Sequence, residues 1–306
     1  MKVSYKILDL KLTYKCNNNC NYCCQDRMLR TVDSELSIDQ IRTILDKEQN
    51  ISKVVLTGGE ATLSKNLEEI VKLIRRRGIT NIQLQSNAKK LSEKKYLERL
   101  VVAGINSFGI SLHGCNASMH EAFTGTKGSF DKVIKALENL RDFKLPVALN
   151  CVITKHNVCN LEDILQFVEK NKFASSIQFA FIHITGKATT EIIDYVKISE
   201  AAKKIKEAIS YSKDFGIKIY TEAIPFCLME GFEKNVSELW NKDNVITYDF
   251  RERRDFSESI SDKFKSKDYK CKDCLFNPMC DGTWIEYPKI FGYDEFIPVT
   301  RFRSEY

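Results

Sequence analysis

Cys16-Asn17-Asn18-Asn19-Cys20-Asn21-Tyr22-Cys23-Cys24, a run close to the start of the chain, carries the motif around which we interpret the whole sequence. Three of its cysteines, Cys16, Cys20 and Cys23, have the spacing C-x3-C-x2-C, which can place three thiolates around one iron–sulfur cube. A [4Fe–4S] cluster usually has four cysteine ligands, one for each iron. The run therefore predicts a cluster with one iron left open to a small molecule.

Two other interpretations of these cysteines stay open at this point. A zinc site usually needs a second pair of ligands with CxxC or HxxxH spacing, and such a pair occurs far downstream at Cys271 and Cys274. Counting cysteines alone does not exclude zinc, nor a coincidence of free thiols.

The composition is that of an ordinary globular protein, with 306 residues, of which 43% are hydrophobic and 29% charged. No apolar run approaches the roughly 18 residues of a membrane span, and the first residues leave no room for a signal peptide. Eleven cysteines in such a chain favour metal or redox chemistry over disulfides. The net charge of +6 is mild and the basic residues are interspersed with acidic ones. We therefore expect a cytoplasmic protein that binds neither membrane nor nucleic acid.

Short apolar or β-branched runs alternate with amphipathic ones, which predicts βα units. Six such units in about 210 residues predict an α/β fold, a partial (β/α)6 TIM-like barrel whose functional residues lie in the loops after the strands. The predicted strands are 7–14, 51–57, 81–85, 107–112, 147–153 and 176–182, followed by a short one at 218–221. The predicted helices are 38–48, capped by Ser37, and 67–77, 93–103, 130–143, 161–170 and 199–215.

The pattern changes after residue 222, so we predict a barrel domain over 1–222 and a small second domain over 223–306. The second domain contains Cys271-x2-Cys274-x5-Cys280, with Cys227 upstream. Four thiolates complete a [4Fe–4S] site, but they would also satisfy zinc.

Polar residues stand at the ends of several predicted strands. Gly58-Gly59-Glu60 follows the second strand, where glycines let the backbone approach a ligand and Glu60 could accept a hydrogen bond from an ammonium group. An ordinary strand-to-loop turn would look the same. The other candidates, for which the alternative is a polar group that bonds local backbone, are Ser86, Asn87, Ser111 and Asn150.

The triple-cysteine spacing, with the aromatic Tyr22 before its last cysteine, resembles the radical SAM superfamily, and Gly-Gly-Glu follows in the right order. Ala61 stands where that family usually has proline. The resemblance implies that S-adenosylmethionine (SAM) binds the open iron and is cleaved to a 5′-deoxyadenosyl radical. It also implies that Gly58, Gly59 and Glu60 hold the methionine amine.

By the same resemblance, the polar residues at the later strand ends contact SAM. Ser86 and Asn87 correspond to general polar contacts, and Ser111 and Asn150 to contacts with the methionine carboxylate and the ribose. The downstream cysteines resemble the SPASM and twitch auxiliary-cluster domains of the same superfamily. Trp284 occupies the place where the longer, two-cluster form continues with cysteines.

We therefore predict one auxiliary [4Fe–4S] cluster in a twitch-like domain. Its ligands would be Cys271, Cys274 and Cys280, with Cys227 either as the fourth ligand or absent from a site open to substrate.

Three further residues are candidate catalytic groups. Cys24 and Cys115 could face the active site and donate a hydrogen atom to a substrate radical, as in radical SAM peptide epimerases, although free cysteines are more often core residues. His113, which stands where many relatives carry aspartate, could line the substrate pocket or bond its own loop. We assign His120 to the loop.

The resemblance implies a maturase that cross-links, epimerises or oxidises a ribosomally made peptide. The alternative is oxidation or rearrangement of a small molecule in cofactor or natural-product biosynthesis. An electron donor such as flavodoxin or ferredoxin would be a partner. So few residues precede the first strand that we expect a separate leader-peptide-binding protein or direct peptide recognition. The rival from another class is a non-catalytic zinc or iron–sulfur module.

Overall fold

The computed structural model describes residues 6–25, 35–190, 195–239, 244–255 and 264–301. Its centre is a nine-stranded sheet in the order β7-β6-β5-β4-β3-β2-β1-β8-β9. The bounds of these strands are β1 Lys6–Thr13, β2 Ile51–Gly58, β3 Ile82–Ser86, β4 Ser107–Ser111, β5 Val147–Ile153, β6 Ser176–Phe181, β7 Lys218–Glu222, β8 Asn244–Tyr248 and β9 Arg253–Asp255.

Helices connect the strands, so that β1 to β7 are all parallel. The α-helices among the described residues are α1 Ile38–Lys47, α2 Leu67–Arg76, α3 Lys94–Ala103, α4 Ala117–Thr124, α5 Ser129–Asp142, α6 Leu161–Asn171, α7 Ile198–Tyr211 and α8 Tyr287–Phe291. β1 and β7 are not paired with each other, so the sheet is an incomplete barrel. The predicted α/β, TIM-like partial barrel is confirmed.

Side chains of the strands alternate between two environments, because successive residues of a strand point to opposite faces. Leu8, Leu10 and Leu12 of β1 are fully buried on the side where the helices pack. Asp9 and Lys11 lie on the opposite, concave face and are partly exposed. The concave face is therefore polar, which suits a binding cleft better than a core.

Local signals explain the helix starts. Ser37 caps α1 through a capping box, in which its hydroxyl accepts from Gln40 N (3.2 Å) and the Gln40 side chain accepts from Ser37 N (2.9 Å). Helix α4, which the sequence analysis did not predict, begins at Asn116, whose side chain accepts from Met119 N (2.9 Å). His120 lies in α4, and its Nδ1 accepts from His113 N (3.2 Å) in the loop after β4, the loop to which we assign it. A helix of 8 residues is too short to give a clear periodicity.

The chain after residue 222 does not form one separate unit. β8 pairs parallel with β1, and β9 pairs antiparallel with β8, so residues 244–255 extend the barrel sheet. We had included them in the small domain over 223–306, because their stretch has no clear period. A second, two-stranded sheet is formed by β10 Lys265–Ser266 and β11 Thr283–Trp284. No helix among the described residues is both long enough and apolar enough to cross a membrane.

Candidate active site

The cysteine loop that follows β1 is held first by the end of β2. Gly59 N donates to Thr13 O (2.7 Å) and Glu60 N donates to Lys15 O (2.8 Å). A Cβ on Gly58 would lie 2.2 Å from Thr13 O, and one on Gly59 would lie 2.3 Å from Tyr14 O. We expected these glycines to admit a ligand, but the space beside them is filled by the backbone at the start of the loop.

The loop after β3 makes the next contacts. Asn87 Nδ2 donates to Asn17 Oδ1 (2.8 Å) and lies 3.7 Å from Cys16 Sγ, within range of a hydrogen bond to sulfur. Lys89 Nζ donates to Asn17 O (2.6 Å). Cys16 Sγ also faces the backbone N–H of Asn18 (3.5 Å). Two N–H donors, one from a side chain and one from the backbone, therefore lie within reach of the Cys16 sulfur.

Residues that follow β4 hold the middle of the cysteine loop. Asn19 N donates to Thr124 O (2.9 Å) and Asn21 N donates to Phe123 O (3.2 Å), both at the end of α4. Gly125, with φ +56°, lies against Asn19: a Cβ at this position would be 2.5 Å from Asn19 O.

Residues that follow β6 hold the end of the loop. Lys187 N donates to Cys23 O (3.0 Å), Lys187 Nζ donates to Asn21 Oδ1 (2.8 Å), and Thr185 Oγ1 donates to Cys24 O (3.3 Å). Sequence reasoning missed Lys187 and Lys89, and the signal for both was a basic residue just after a strand. Loops at the carboxyl ends of β2, β3, β4 and β6 therefore converge on the cysteine loop.

Cys16, Cys20 and Cys23 are all partly exposed on this loop, and none is in a disulfide. Among the described residues, no three Cys, His, Asp or Glu side chains are close enough to share one metal ion. A four-iron cube does not require that convergence, because each thiolate binds a different iron. The donor set of three thiols, with N–H groups directed at one of them, fits such a cube.

Glu60 is buried and takes part in a dense set of hydrogen bonds. Its Oε1 accepts from Thr62 N (3.1 Å), Thr62 Oγ1 (2.6 Å) and Ser86 Oγ (2.7 Å), and its Oε2 accepts from Asn87 N (2.7 Å). A carboxylate offers about four acceptor sites, two on each oxygen. Oε1 already accepts three hydrogen bonds, whereas Oε2 accepts one and so keeps one acceptor site for a further donor, such as the ammonium group expected from the sequence.

The other polar residues at the strand ends differ in how they are used. The Ser86 hydroxyl makes hydrogen bonds within the protein: it donates to Glu60 and accepts from Ala88 N (2.8 Å). Ser111 and Asn150 are paired in register on β4 and β5, and both alternate with fully buried residues, which places them on the concave face. Asn150 Oδ1 is buried and has no hydrogen-bond partner in the described part of the chain, as expected of a group whose partner is a ligand.

His113 belongs to an aromatic stack that reaches the cysteine loop. Its ring lies 5.1 Å from that of Phe123, which in turn lies 5.0 Å from Tyr22. His113 Nδ1 accepts from Val152 N (3.3 Å), and burial, with a smaller effect of His120, lowers its pKa to about 3. The imidazole is therefore neutral and supports the loop through Phe123. These contacts support the alternative in which His113 bonds its own loop.

The two candidate hydrogen-atom donors lie in different places. Cys24 is exposed, and its thiol lies near Cys23, Lys11 and Glu222. Cys115 instead lies near Asp163 of α6 and near Cys151, which is fully buried on the helix side of β5. These neighbours lie on the helix side of the sheet, and a role for Cys115 as hydrogen-atom donor stays a prediction.

The four downstream cysteines come together around one pocket. Cys227, Cys271, Cys274 and Cys280 all line it. Burial raises the pKa of Cys227 to about 12, and the other three thiols add to the shift. Backbone donors face two of the sulfurs, Gly282 N at 3.3 Å from Cys280 Sγ and Val299 N at 3.4 Å from Cys274 Sγ. A set of four thiols with N–H donors has the donor chemistry that an iron–sulfur cluster needs.

A group that sequence reasoning did not assign joins this pocket to the barrel. Trp284 stacks on His183, with ring centroids 4.0 Å apart, and its Nε1 lies 3.5 Å from Phe181 O at the end of β6. The buried Lys265 donates to Glu238 (2.8 Å) and lies over the Trp284 ring at 5.2 Å. Trp284, predicted only as the residue that replaces a further cysteine, therefore fixes β11 against the barrel.

Residues 10–168 match the family model of the radical SAM superfamily. A probable GTP 3′,8-cyclase of Sulfolobus acidocaldarius is 29% identical over 203 residues, 65% of this chain and 63% of that one. An AdoMet-dependent heme synthase of Nitratidesulfovibrio vulgaris is 22% identical over 167 residues, 54% of this chain and 45% of that one. The chain thus matches less than two thirds of the length of these curated relatives.

Two solved structures share the fold. Streptococcus suis SuiB bound to its precursor peptide SuiA superposes with a TM-score of 0.68 at 16% identity, over 92% of this chain and 72% of SuiB. Native anSMEcpe with bound AdoMet and the Kp18Cys peptide superposes with a TM-score of 0.56 at 18% identity, over 70% of this chain and 63% of that one.

Proposed function

The chain belongs to the radical SAM superfamily, and we propose that it is a peptide-modifying enzyme that uses SAM, a [4Fe–4S] cluster on Cys16, Cys20 and Cys23, and one auxiliary cluster. The observation that carries the proposal is the convergence of the loops after β2, β3, β4 and β6 on the triple-cysteine loop, with Asn87 directed at Cys16. An electron donor such as flavodoxin or ferredoxin would reduce the first cluster. We place the enzyme in the cytoplasm, where cysteines stay reduced.

The bound cluster and SAM would together supply a 5′-deoxyadenosyl radical that abstracts a hydrogen atom from the substrate. Two side chains of the site, Glu60 and Asn150, have acceptor oxygens that would hold SAM. The remaining acceptor site on Glu60 Oε2 receives the methionine ammonium, and the unsatisfied Asn150 Oδ1 receives a ribose hydroxyl. Cys24, exposed and next to Cys23, is the candidate hydrogen-atom donor.

The peptide substrate is supported by the extent of the fold shared with SuiB, which covers 92% of this chain and was solved with a precursor peptide. A separate leader-peptide-binding chain would be a further partner. A small-molecule substrate is the second candidate, because the curated relatives with 22–29% identity are named for GTP cyclisation and heme synthesis.

Mass spectrometry of substrate incubations tests the proposal. The enzyme, reconstituted anaerobically, is incubated with SAM, a reductant and synthetic peptides encoded by short reading frames beside its gene. GTP and an iron porphyrin precursor are incubated in parallel. We expect about eight irons per chain, four for each cube, and a peptide that loses two hydrogen atoms, gains a cross-link or exchanges hydrogen with solvent.

Cys20→Ala is the test variant, and Cys159→Ala is its matched control, because Cys159 is an exposed cysteine outside both cysteine groups. The first variant should lose the reaction and the second should keep it. Turnover of the small molecules alone would replace the peptide proposal by the second candidate.

A further inference from the structure

Thr283 has a buried hydroxyl that no other group in the described part of the chain satisfies. The residue is 1% exposed, and its Oγ1 has no hydrogen-bond partner there. A buried hydroxyl without a partner costs free energy, so such groups are rare unless a ligand or water completes them.

The direction of this hydroxyl follows from strand geometry. In the β10–β11 pair, Lys265 is opposite Trp284 and Ser266 is opposite Thr283. Lys265 and Trp284 face the barrel, where they meet Glu238 and Phe181 O. Successive residues of a strand point to opposite faces, so Thr283 points the other way.

That other side holds the cysteine pocket. Thr283 and Ser266 both line it, together with Cys227, Cys271, Cys274 and Cys280. Other polar side chains that line the pocket bond to one another: Tyr293 OH donates to Ser266 Oγ (2.9 Å), and Lys267 Nζ donates to Asn277 Oδ1 (2.9 Å). Gly282, the residue just before β11, already directs its N–H at Cys280 Sγ (3.3 Å), so a donor next to Thr283 faces the pocket.

We propose that Thr283 donates a hydrogen bond to a sulfur of the auxiliary cluster and thereby raises its reduction potential. The inference rests on the proposed function, which places a cluster in this pocket. A reduced cluster carries one more negative charge than the oxidised one, and a hydrogen bond to a more strongly charged acceptor is stronger. The hydroxyl therefore stabilises the reduced state, as hydrogen bonds to cluster sulfurs do in general. A higher potential makes this cluster a better acceptor of the electron that a substrate radical releases.

A redox titration followed by electron paramagnetic resonance tests this on the reconstituted full-length protein. The signal that changes when SAM is added belongs to the first cluster, and the signal that does not change belongs to the auxiliary cluster. For Thr283→Val, which removes the hydroxyl but keeps the shape, we expect the auxiliary midpoint to become more negative. The ratio of reduced to oxidised cluster at a fixed potential should fall roughly tenfold, about 59 mV for one electron. Thr283→Ser keeps the hydroxyl and should stay close to the wild type, and the first cluster's midpoint should not move in either variant.

An unchanged auxiliary midpoint in a Thr283→Val protein that keeps its iron would overturn the inference. If the valine variant loses the auxiliary iron, Thr283→Ala gives the second comparison. Loss of that iron in both variants, with retention in Thr283→Ser, would still support a hydroxyl in contact with the cluster, whereas loss in all three would contradict it. Wild-type protein with only about four irons and one signal would instead refute the auxiliary cluster itself, a failure of the proposed function that is distinct from a failure of this inference.

Discussion

Glu60 shows how one side chain can organise several loops. Its carboxylate accepts hydrogen bonds from Thr62, Ser86 and Asn87, and Asn87 in turn reaches Cys16. The position of Glu60 after the second strand could be predicted from the sequence. That Ser86 and Asn87, which follow the third strand, donate hydrogen bonds to Glu60 could not. Such contacts depend on the register of β2 and β3, which a strand pattern does not specify.

Replacing Glu60 by glutamine tests this network. The amide NH2 group of glutamine would face donors, leaving a buried hydrogen bond unmade at a cost of about 1–3 kcal/mol. We expect Glu60→Gln to lower the melting temperature by several degrees in anaerobic thermal unfolding. Glu69→Gln, on the exposed side of α2, is the control and should leave the melting temperature unchanged; equal melting temperatures for all three proteins would contradict the network.

His113 leads to a second prediction, about how the stability of the fold depends on pH. Its pKa is lowered to about 3 in the folded protein, against 6.5 for a free histidine, because burial disfavours the charged form. The unfolded chain therefore binds a proton that the folded chain does not, and the stability present above pH 6.5 is lost as the pH falls from there towards 3. His120, with a pKa lowered to about 4 by burial, acts in the same direction.

In His113→Gln the glutamine oxygen can still accept from Val152 N, but the titrating group is gone. We expect the free energy of unfolding, measured by urea denaturation between pH 7 and 4, to fall less steeply with decreasing pH than in the wild type. His156→Gln, which removes an exposed histidine, is the matched control. Parallel curves for wild type and His113→Gln would show that burial of this imidazole is not linked to folding.

At the level of elements, the cysteine loop is shaped by the segments that enclose it. Gly186, after β6, has φ +60°, and a Cβ there would lie 2.7 Å from Gln25 O and 2.8 Å from Cys23 O. Both the positive φ and the close backbone contacts require glycine. Gly216 has neither feature, since no atom lies within 4 Å of its virtual Cβ.

We therefore expect Gly186→Ala to displace the end of the cysteine loop and to reduce the iron bound by the first cluster. Gly216→Ala should keep the wild-type iron content and stability. Iron analysis together with the SAM-sensitive resonance signal measures this directly. Full occupancy of the first cluster in Gly186→Ala would mean that the loop tolerates the side chain, and that the contact with the β6 loop does not shape the site.

Most strands and helices could be predicted from the sequence, and the exceptions have physical causes. The strands β1 to β7 and the longer helices follow from alternation and amphipathic periodicity, and their bounds were close to those observed. Helix α4 and strand β9 were missed because each is short, and β8 was missed because its stretch shows no clear period. For Cys115, a position after a strand does not tell on which side of the sheet the loop turns.

For the whole molecule, Glu48 joins distant parts of the chain. It accepts from Lys6 of β1 (3.1 Å), from Tyr248 of β8 (2.8 Å) and from Arg253 of β9 (2.8 Å). Burial opposes its ionisation, but these hydrogen bonds outweigh burial and lower its pKa to about 2. The carboxylate thus fastens the late strands to the barrel edge, which no local sequence pattern could reveal.

The stability that Glu48 contributes is present above its unfolded pKa of 4.5 and is lost as the pH falls from there through about 2. At neutral pH a shift of this size corresponds to ~3 kcal/mol. We expect Glu48→Gln to lose most of that stability at pH 7 and to approach the wild type under acid, as measured by chemical denaturation. Glu98→Gln, an exposed carboxylate on α3, should behave as the wild type throughout; a pH-independent difference between Glu48→Gln and wild type would contradict the linkage.

The central claim is that Cys16, Cys20 and Cys23 hold a cluster that cleaves SAM. The most direct measurement is the quantity of 5′-deoxyadenosine formed when the anaerobically reconstituted protein is incubated with SAM and a strong reductant. We predict that the nucleoside accumulates with the wild-type protein and is absent with Cys20→Ala. Zinc in place of iron in the purified protein, with no 5′-deoxyadenosine formed after reconstitution, would contradict the account and favour the non-catalytic metal module.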